Sequence, residues 1–166
     1  MLHIAHSLRQ LSFGALMKVY AEGNRENGEE FWPELSEGEQ ILQAEQEFYQ
    51  YLQQVFFRTQ GAVYCTWEVH GELVCALRLE PYRDGLLLEA LETSPDQRGK
   101  GYAKSLIRAV LTFFESQKVY SHVGKRNIPS LKAHLSCGFR RVSEQAVYAD
   151  GSVNDRCCTM MYGGTT

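Results

Sequence analysis

Apolar residues recur three and four positions apart at two places in the first third of the chain. The first place spans 11–20, and the second continues to about Phe57. This spacing puts apolar side chains on one face of a helix, so it predicts two helices. Ser36 is a candidate N-cap of the second helix, because Glu39 follows it at the spacing of a capping box. A short strand over 2–5 is predicted before both helices.

The segment between these two helices is predicted to be irregular. Gly23 and Asn24 favour the end of the first helix, since glycine and asparagine readily take the left-handed conformation of a helix C-terminus. Residues 28–33 are accordingly predicted to form a loop.

Apolar runs in the middle of the chain predict strands. Residues 62–69 and 72–79 are rich in β-formers and are separated by His70 and Gly71, so they predict a hairpin. The leucine-rich run that follows predicts a further strand over 86–93.

Helices and strands alternate in the remaining half of the chain. The predicted elements are helices over 101–115 and 129–137, a strand over 119–123 between them, and two antiparallel strands over 140–148 and 156–162 that meet at a turn at Asp150 and Gly151. The predicted class is therefore α/β (α+β), with the element order β-αα-βββ-α-β-α-ββ.

Bulk properties favour one globular domain over 1–166 and argue against several classes of function. The chain is 44% hydrophobic and 22% charged, with a net charge of −3 that argues against a general nucleic-acid-binding surface. No apolar run approaches the ~20 residues that cross a bilayer, so no membrane association is predicted. The five cysteines are interpreted as reduced thiols of a cytoplasmic protein. No Cys/His cluster has zinc spacing, so no metal site is predicted.

A basic, glycine-containing segment joins a predicted strand to a predicted helix over 93–104. The first N–H groups of a helix have no partner within the helix and lie at the positive end of its dipole. Gly99 and Gly101 let an anion approach this backbone closely. Three basic residues lie beside the glycines: Arg98, Lys100 and Lys104. Because the segment fits neither a P-loop nor a full dinucleotide fingerprint, it predicts a phosphate site of another kind.

Within this segment, Arg98-x-x-Gly101-x-Ala103 resembles the acetyl-CoA signature R-x-x-G-x-G/A of the GNAT superfamily of N-acetyltransferases. The segment 127–139 resembles a later motif of that family, in which Asn opens a helix and Gly-Phe ends it. Four positions match this motif: Asn127, Ser130, Gly138 and Phe139. The resemblance covers 61–162 and implies a mixed, mostly antiparallel central sheet flanked by helices.

The resemblance also implies a cofactor, acetyl-CoA, and the residues that bind it. The implied pyrophosphate site consists of backbone groups of Gly99, Lys100, Gly101, Ala103 and Lys104, with Arg98 beside them. Backbone groups of Leu91 and Thr93 are implied to bind the pantetheine arm, and an N–H at Leu91 to stabilise an oxyanion. Asn127 has two interpretations, a helix N-cap and a contact to the pantetheine arm. Ser130 is also implied to bind the cofactor.

His134 is the candidate for a general acid. It lies two helical turns after Asn127, so both side chains project from one face of the predicted helix. The family usually has Tyr here, near the sulfur, where it protonates the leaving thiolate. An imidazolium is a competent acid, since the pKa of histidine is near about 6.5. A half-buried surface histidine is the alternative, and other candidate acids are Tyr120, Tyr148 and Tyr162.

Glu89 and Glu92 are the candidates for a general base, because both precede the basic segment on the same predicted strand. Successive strand residues point to opposite faces. These two glutamates are three positions apart, so at most one is expected to face the cleft in a regular strand. Solvated glutamates on a strand face are the alternative.

The expected reaction is acetylation of a primary amine of a small molecule or peptide, by direct attack in a ternary complex. An acidic window supports a cationic acceptor, although a solubilising helix face is the alternative. The acidic residues in it are Glu22, Glu26, Glu29, Glu30, Glu34, Glu37, Glu39, Glu45 and Glu47. The alternative function is a non-catalytic acyl-CoA sensor. The sequence also leaves undecided whether the donor has a longer acyl chain and whether the chain forms a homodimer.

Overall fold

A computed structural model describes residues 1–163 of the chain and contains a seven-stranded sheet. Its strands lie in the order β1-β2-β3-β4-β5-β9-β6, and a separate two-stranded ribbon pairs β7 with β8. The bounds are β1 Leu2–Ala5, β2 Val63–Val69, β3 Glu72–Tyr82, β4 Gly85–Thr93, β5 Lys118–Gly124, β6 Arg140–Ser143, β7 Ala146–Val147, β8 Val153–Asn154 and β9 Cys157–Tyr162. All neighbouring strands in the large sheet are antiparallel except β4 and β5, which are parallel.

Five α-helices cover the two faces of the sheet. They are α1 Phe13–Val19, α2 Ala21–Phe31, α3 Glu37–Gln54, α4 Tyr102–Phe113 and α5 Ile128–Ser136. Adjacent residues of β2 and β3 point to opposite faces, as a strand requires. Tyr64 packs with α1 and α3, whereas Cys65 packs with α4 and α5. The predicted class, a mixed and mostly antiparallel sheet flanked by helices, is confirmed.

The predicted capping box at the start of α3 is present. The backbone N–H of Glu39 donates to Ser36 Oγ at 3.4 Å, and the backbone N–H of Ser36 donates to Glu39 Oε2 at 3.0 Å. No helix within residues 1–163 is long and apolar enough to cross a membrane.

Helix α2 lies where the sequence predicted a helix end and a loop, so that prediction was wrong. Gly28 packs directly on α3, because a Cβ at this position would be 2.8 Å from Cβ of Gln40. Asn24 is buried, and its Nδ2 donates to Met17 Sδ at 3.3 Å. Residues that weaken an isolated helix are therefore used here for close tertiary packing, which overrides local propensity.

The predicted strand over 140–148 is divided in the structure. Its first part, β6, pairs with β9, and the register of that pair shifts between Arg141 and Ser143. After the shift the chain changes partner, so β7 pairs with β8 instead. The predicted turn forms, and Gly151 takes a φ of 84° in it. The Tyr82 hydroxyl donates to the carbonyl oxygen of Val147 and attaches this ribbon to β3.

Candidate active site

Strands β4 and β5 separate part-way along their length. They pair from Gly85 and Lys118 to Leu88 and Ser121, and in the part of the chain that the structure describes no pairing continues beyond that point. The edge of β4 that faces β5 is therefore unpaired from Glu89 onward. An unpaired strand edge presents backbone N–H and C=O groups that an extended ligand can bind.

A bulge on the other edge of β4 changes the direction of its side chains. Glu89 lies opposite Arg78 of β3 and Glu92 lies opposite Ala76, with a register shift between these pairs. Arg78 and Ala76 share a face of β3, so the two glutamates share a face of β4. The expectation that at most one of them faces the cleft assumed a regular strand, and the bulge invalidates it. The extra residue is accommodated at Ala90, whose φ is 50°.

The loop between β4 and α4 has the properties of an anion site. Gly99 and Gly101 have φ values of 77° and 82°, which residues with a Cβ rarely adopt, and the space beside both is open. Gly101 is the N-cap of α4, and no side chain caps that helix. The first N–H groups of α4 are thus available to a ligand at the positive end of the helix dipole.

A cavity of about 680 Å³ runs along this loop and is called the loop cavity. Nine of the ten residues predicted to bind the cofactor line it: Leu91, Thr93, Arg98, Gly99, Gly101, Ala103, Lys104, Asn127 and Ser130. Lys100 is not among the lining residues, and its Nζ donates to Oε1 of Gln97, which does line the cavity, at 2.7 Å. Glu92 and Tyr102 also line the cavity, and sequence reasoning missed Tyr102 as a lining residue.

Arg98 is held by two carboxylates in the loop cavity. Its guanidinium forms an ion pair with Glu22 of α2 and lies 3.6 Å from Glu92. The hydrogen bond from Arg98 lowers the pKa of Glu22, whereas burial raises the pKa of Glu92. Glu22, from the acidic window, therefore lies beside the predicted pyrophosphate site.

A second cavity, of about 170 Å³, fills the space between the separated strands and is called the gap cavity. Glu89 and His134 line it, so the structure brings these two candidates together and leaves Glu92 in the loop cavity. The two cavities share Leu91, Asn127 and Ser130. The predicted site residues thus form two adjoining spaces.

His134 is 1% exposed and has a defined hydrogen-bonding state. Its Nδ1 lies 2.8 Å from the carbonyl oxygen of Ser130, so Nδ1 carries the proton and donates it. Nε2 is buried and has no hydrogen-bond partner among residues 1–163. Burial lowers the pKa of His134. At neutral pH the side chain is therefore a neutral imidazole that accepts a proton at Nε2, and it becomes an acid only after receiving one.

Asn127 and Glu89 line the cavities and also contact other residues of the chain. Asn127 caps α5, because its Oδ1 accepts a hydrogen bond from the Ser130 N–H at 3.2 Å. Glu89 lies 3.7 Å from the Arg78 guanidinium. Burial raises the pKa of Glu89, and the neighbouring Glu80 carboxyl acts in the same direction.

The alternative tyrosine acids line neither cavity. The Tyr120 hydroxyl donates to Asp84 Oδ1 at 2.6 Å, and the Tyr162 ring packs against Phe139. The Tyr148 ring meets His122 edge to face at 5.2 Å.

His122, on β5, lines the gap cavity and was missed by sequence reasoning. Both of its ring nitrogens are buried without a hydrogen-bond partner in residues 1–163. A single histidine in a strand belongs to no motif, so the sequence contained no signal for it. Its burial results from Tyr82 and Tyr148, which come from distant parts of the chain.

The sequence model of the acetyltransferase (GNAT) family matches residues 24–139, which is more than half of the chain. The chain belongs to this family. The predicted resemblance is therefore confirmed, and acetyl-CoA is the acyl donor that GNAT enzymes use. No curated protein sequence is similar enough to this GNAT chain to count as a match.

Solved structures of GNAT proteins have the same fold at low sequence identity. PaiA N-acetyltransferase from Thermoplasma acidophilum, in complex with coenzyme A, is 15% identical, with a TM-score of 0.64 over 97% of this chain and 98% of that one. Escherichia coli ElaA is 16% identical, with a TM-score of 0.63 over 98% and 99%. Spermidine N-acetyltransferase from Vibrio cholerae, in complex with CoA and spermine, is 17% identical, with a TM-score of 0.62 over 97% and 94%.

Proposed function

We propose that this GNAT chain transfers an acetyl group from acetyl-CoA to a primary amine of a small molecule or peptide, by direct attack of the amine on the thioester. One observation carries the proposal. The loop cavity and the gap cavity meet at Leu91, Asn127 and Ser130, so an elongated donor bound along the loop has a direct path into the gap between the strands.

The residues of the loop cavity fit a pyrophosphate. The space beside Gly99 and Gly101 is open, and the first N–H groups of α4 have no side-chain cap. Arg98 and Lys104 line the same space and supply positive charge. When bound, acetyl-CoA supplies an activated thioester, and the unpaired edge of β4 at Leu91 is proposed to bind the pantetheine arm and to donate an N–H to the developing oxyanion.

Direct attack is supported by the state of the cysteines. All five cysteines are free thiols, and four are buried. Cys75 contacts one of the predicted donor-binding residues, because its Sγ accepts a hydrogen bond from Thr93 Oγ1 at 3.4 Å. Burial raises the pKa of Cys75 to about 11. A thiol that stays protonated is a poor nucleophile, so an acetyl-cysteine intermediate at this position is disfavoured.

The acceptor is proposed to be a cationic amine that enters the gap cavity. Glu89 lines this cavity, and a carboxylate attracts an ammonium group. A relative of the same fold, from Vibrio cholerae, is a spermidine N-acetyltransferase, which supports a small amine as one member of the class. His134 is proposed to return a proton to the leaving sulfur once it has accepted one at Nε2.

The proposal is tested by measuring CoA release by mass spectrometry, with acetyl-CoA and a panel of amines. Wild type is expected to turn over with at least one amine, and Gly101→Glu is expected to abolish turnover and CoA binding, because it adds bulk and negative charge beside the phosphate site. Gly71→Glu is the matched control, since Gly71 has a φ of 80° and open space in the β2–β3 turn. It is expected to retain activity.

The outcomes separate enzyme from binding module. CoA binding that Gly101→Glu removes, without turnover by wild type on any amine, would contradict the proposed activity and favour a sensor. An equal loss of turnover in Gly101→Glu and Gly71→Glu would mean that the added glutamate disturbs the fold and not the phosphate site.

A further inference from the structure

Resting on the proposed function, we propose that His122 is the catalytic base that takes the proton from the incoming ammonium group. His122 follows Ser121, the last residue of β5 that pairs with β4, so it lies where the two strands begin to separate. His122 lines the gap cavity, together with Glu89 of the neighbouring strand β4. This position is on the proposed path of the amine.

The ring nitrogens of His122 lack partners that a folded protein normally supplies. Nδ1 and Nε2 are both buried, and neither has a hydrogen-bond partner within residues 1–163. A buried polar atom without a partner costs free energy, and most such atoms in native structures have a specific explanation. A ligand N–H group in the gap cavity would satisfy one of these nitrogens, and a lone pair that is free in the absence of ligand is what a base requires.

The ring is also held in a fixed orientation. Tyr82 meets it edge to face with ring centroids 5.4 Å apart, and Tyr148 does so at 5.2 Å from the β7–β8 side. Edge-to-face contacts of this kind stabilise one ring position. A base that is held rigidly at the site loses little entropy when it meets the substrate.

Burial and one nearby positive charge favour the neutral form of His122. Burial, followed by the Arg83 guanidinium, lowers the pKa of His122. Glu89 lies across the gap on β4, His134 lines the same cavity from α5, and Tyr82 and Tyr148 contact the ring from β3 and from the β7–β8 ribbon. His122 therefore has a lone pair available at neutral pH.

The carboxylates predicted as bases are less available than His122. Glu89 is 3.7 Å from Arg78, and Glu92 is 3.6 Å from Arg98. Each carboxylate is therefore engaged with a guanidinium, whereas the ring nitrogens of His122 have no hydrogen-bond partner within residues 1–163. By this comparison the ring nitrogens of His122 are freer to accept a proton than either predicted carboxylate.

The proton balance of the reaction gives His122 one defined step. The ammonium nitrogen gives up one proton to His122, and its lone pair then forms the C–N bond with the thioester carbon. The C–S bond breaks with its electron pair going to sulfur. The nitrogen then loses a second proton, and the thiolate takes up one proton and leaves as a thiol. His122 releases its own proton to solvent. The net products are an amide, CoA and one proton.

The test uses the full chain, acetyl-CoA and an amine that wild type acetylates. His122→Gln is expected to lower kcat/KM by about 100-fold, in the range of general base catalysis, and to remove the acidic limb of the pH profile. Added imidazole is expected to restore part of the rate of His122→Ala. The control is His70→Asn, at an exposed residue in a turn, and it is expected to leave the rate and profile unchanged. CoA affinity and thermal unfolding, measured for each variant, identify a loss of fold.

A second readout does not depend on turnover. In ¹⁵N NMR spectra recorded without the acetyl donor, the imidazole nitrogens of His122 are expected to shift when the amine is added, whereas those of His70 are not. Turnover by His122→Gln with an unchanged pH profile, together with a large loss of kcat/KM in Glu89→Gln, would overturn the role of His122. The proposed function would still stand. Absence of turnover by wild type with every amine would overturn the proposed function and this role with it.

Discussion

The Tyr20 hydroxyl of the turn between α1 and α2 donates a hydrogen bond to the backbone carbonyl oxygen of Ala90 at 2.6 Å. Tyr64, on β2, donates in turn to the Tyr20 hydroxyl at 2.8 Å. Ala90 is the bulged residue of β4, with a φ of 50°. A buried chain of two hydroxyl groups therefore holds the bulge that brings Glu89 and Glu92 to one face of the strand.

Tyr20→Phe is expected to lower the free energy of unfolding by about 1–3 kcal/mol, because it leaves the buried Tyr64 hydroxyl and the Ala90 carbonyl without a partner. Urea denaturation measures this change. Tyr49→Phe is the control, since Tyr49 is 39% exposed and keeps its ring contact with Phe13; it is expected to change stability by less than about 0.5 kcal/mol. Equal effects in the two variants would contradict a structural role for the Tyr20 hydroxyl.

Ala90→Val is expected to lower the melting temperature, because a β-branched residue is strongly disfavoured at positive φ. A loss of about 1–3 kcal/mol is the usual scale of such backbone strain. Ala90→Gly is expected to be tolerated, since glycine adopts this conformation freely. Differential scanning calorimetry of both variants tests the bulge, and a valine variant as stable as wild type would argue against it.

Two glycines of α2 provide a matched pair. Gly28→Ala is expected to destabilise the chain by about 1–3 kcal/mol, because the added Cβ overlaps Gln40 on α3. Gly23→Ala is expected to stabilise it by about 0.5–1 kcal/mol, since nothing lies within 4 Å of the added methyl group. Chemical denaturation of both variants measures whether each substitution lowers or raises the free energy of unfolding. A stabilising Gly28→Ala would mean that α2 does not pack on α3 as described.

His134 is expected to make stability depend on pH below neutrality. Burial holds its pKa below the ordinary value near about 6.5, so the unfolded chain binds a proton that the native chain does not. The free energy of unfolding is therefore expected to fall as the pH drops from about 6.5 towards the native pKa of His134. Denaturation curves of wild type and His134→Gln between about pH 5 and 8 measure this slope, which the variant should reduce. Parallel curves would contradict the neutral, buried state of His134.

Local patterns predicted those parts of the fold that depend on neighbours in sequence. The capping box of Ser36 and Glu39, and the glycine loop ahead of α4, formed as expected because their hydrogen bonds and φ values are set within a few residues. The resemblance to the GNAT family also identified nine of the residues that line the loop cavity.

Other features required contacts between distant residues and were beyond sequence reasoning. The bulge occurs at an alanine, with no glycine to mark it, and depends on the hydroxyl group of Tyr20. Helix α2 depends on Gly28 meeting Gln40, and the burial of His122 depends on Tyr82 and Tyr148. The proposed catalytic roles depend on such contacts, and for that reason they were harder to predict than the glycine loop ahead of α4.

The composition of α2 has a consequence for local opening of the chain. The helix contains two glycines and two asparagines, which are weak helix formers, and it depends on α3 to stay folded. Its backbone amides are therefore expected to exchange with deuterium earlier than those of α4. Each such opening would separate Glu22 from Arg98 and leave the guanidinium with Glu92 as its remaining carboxylate partner. Local opening of one acidic helix would thereby set how often an anion competes with one carboxylate for this arginine and not with two.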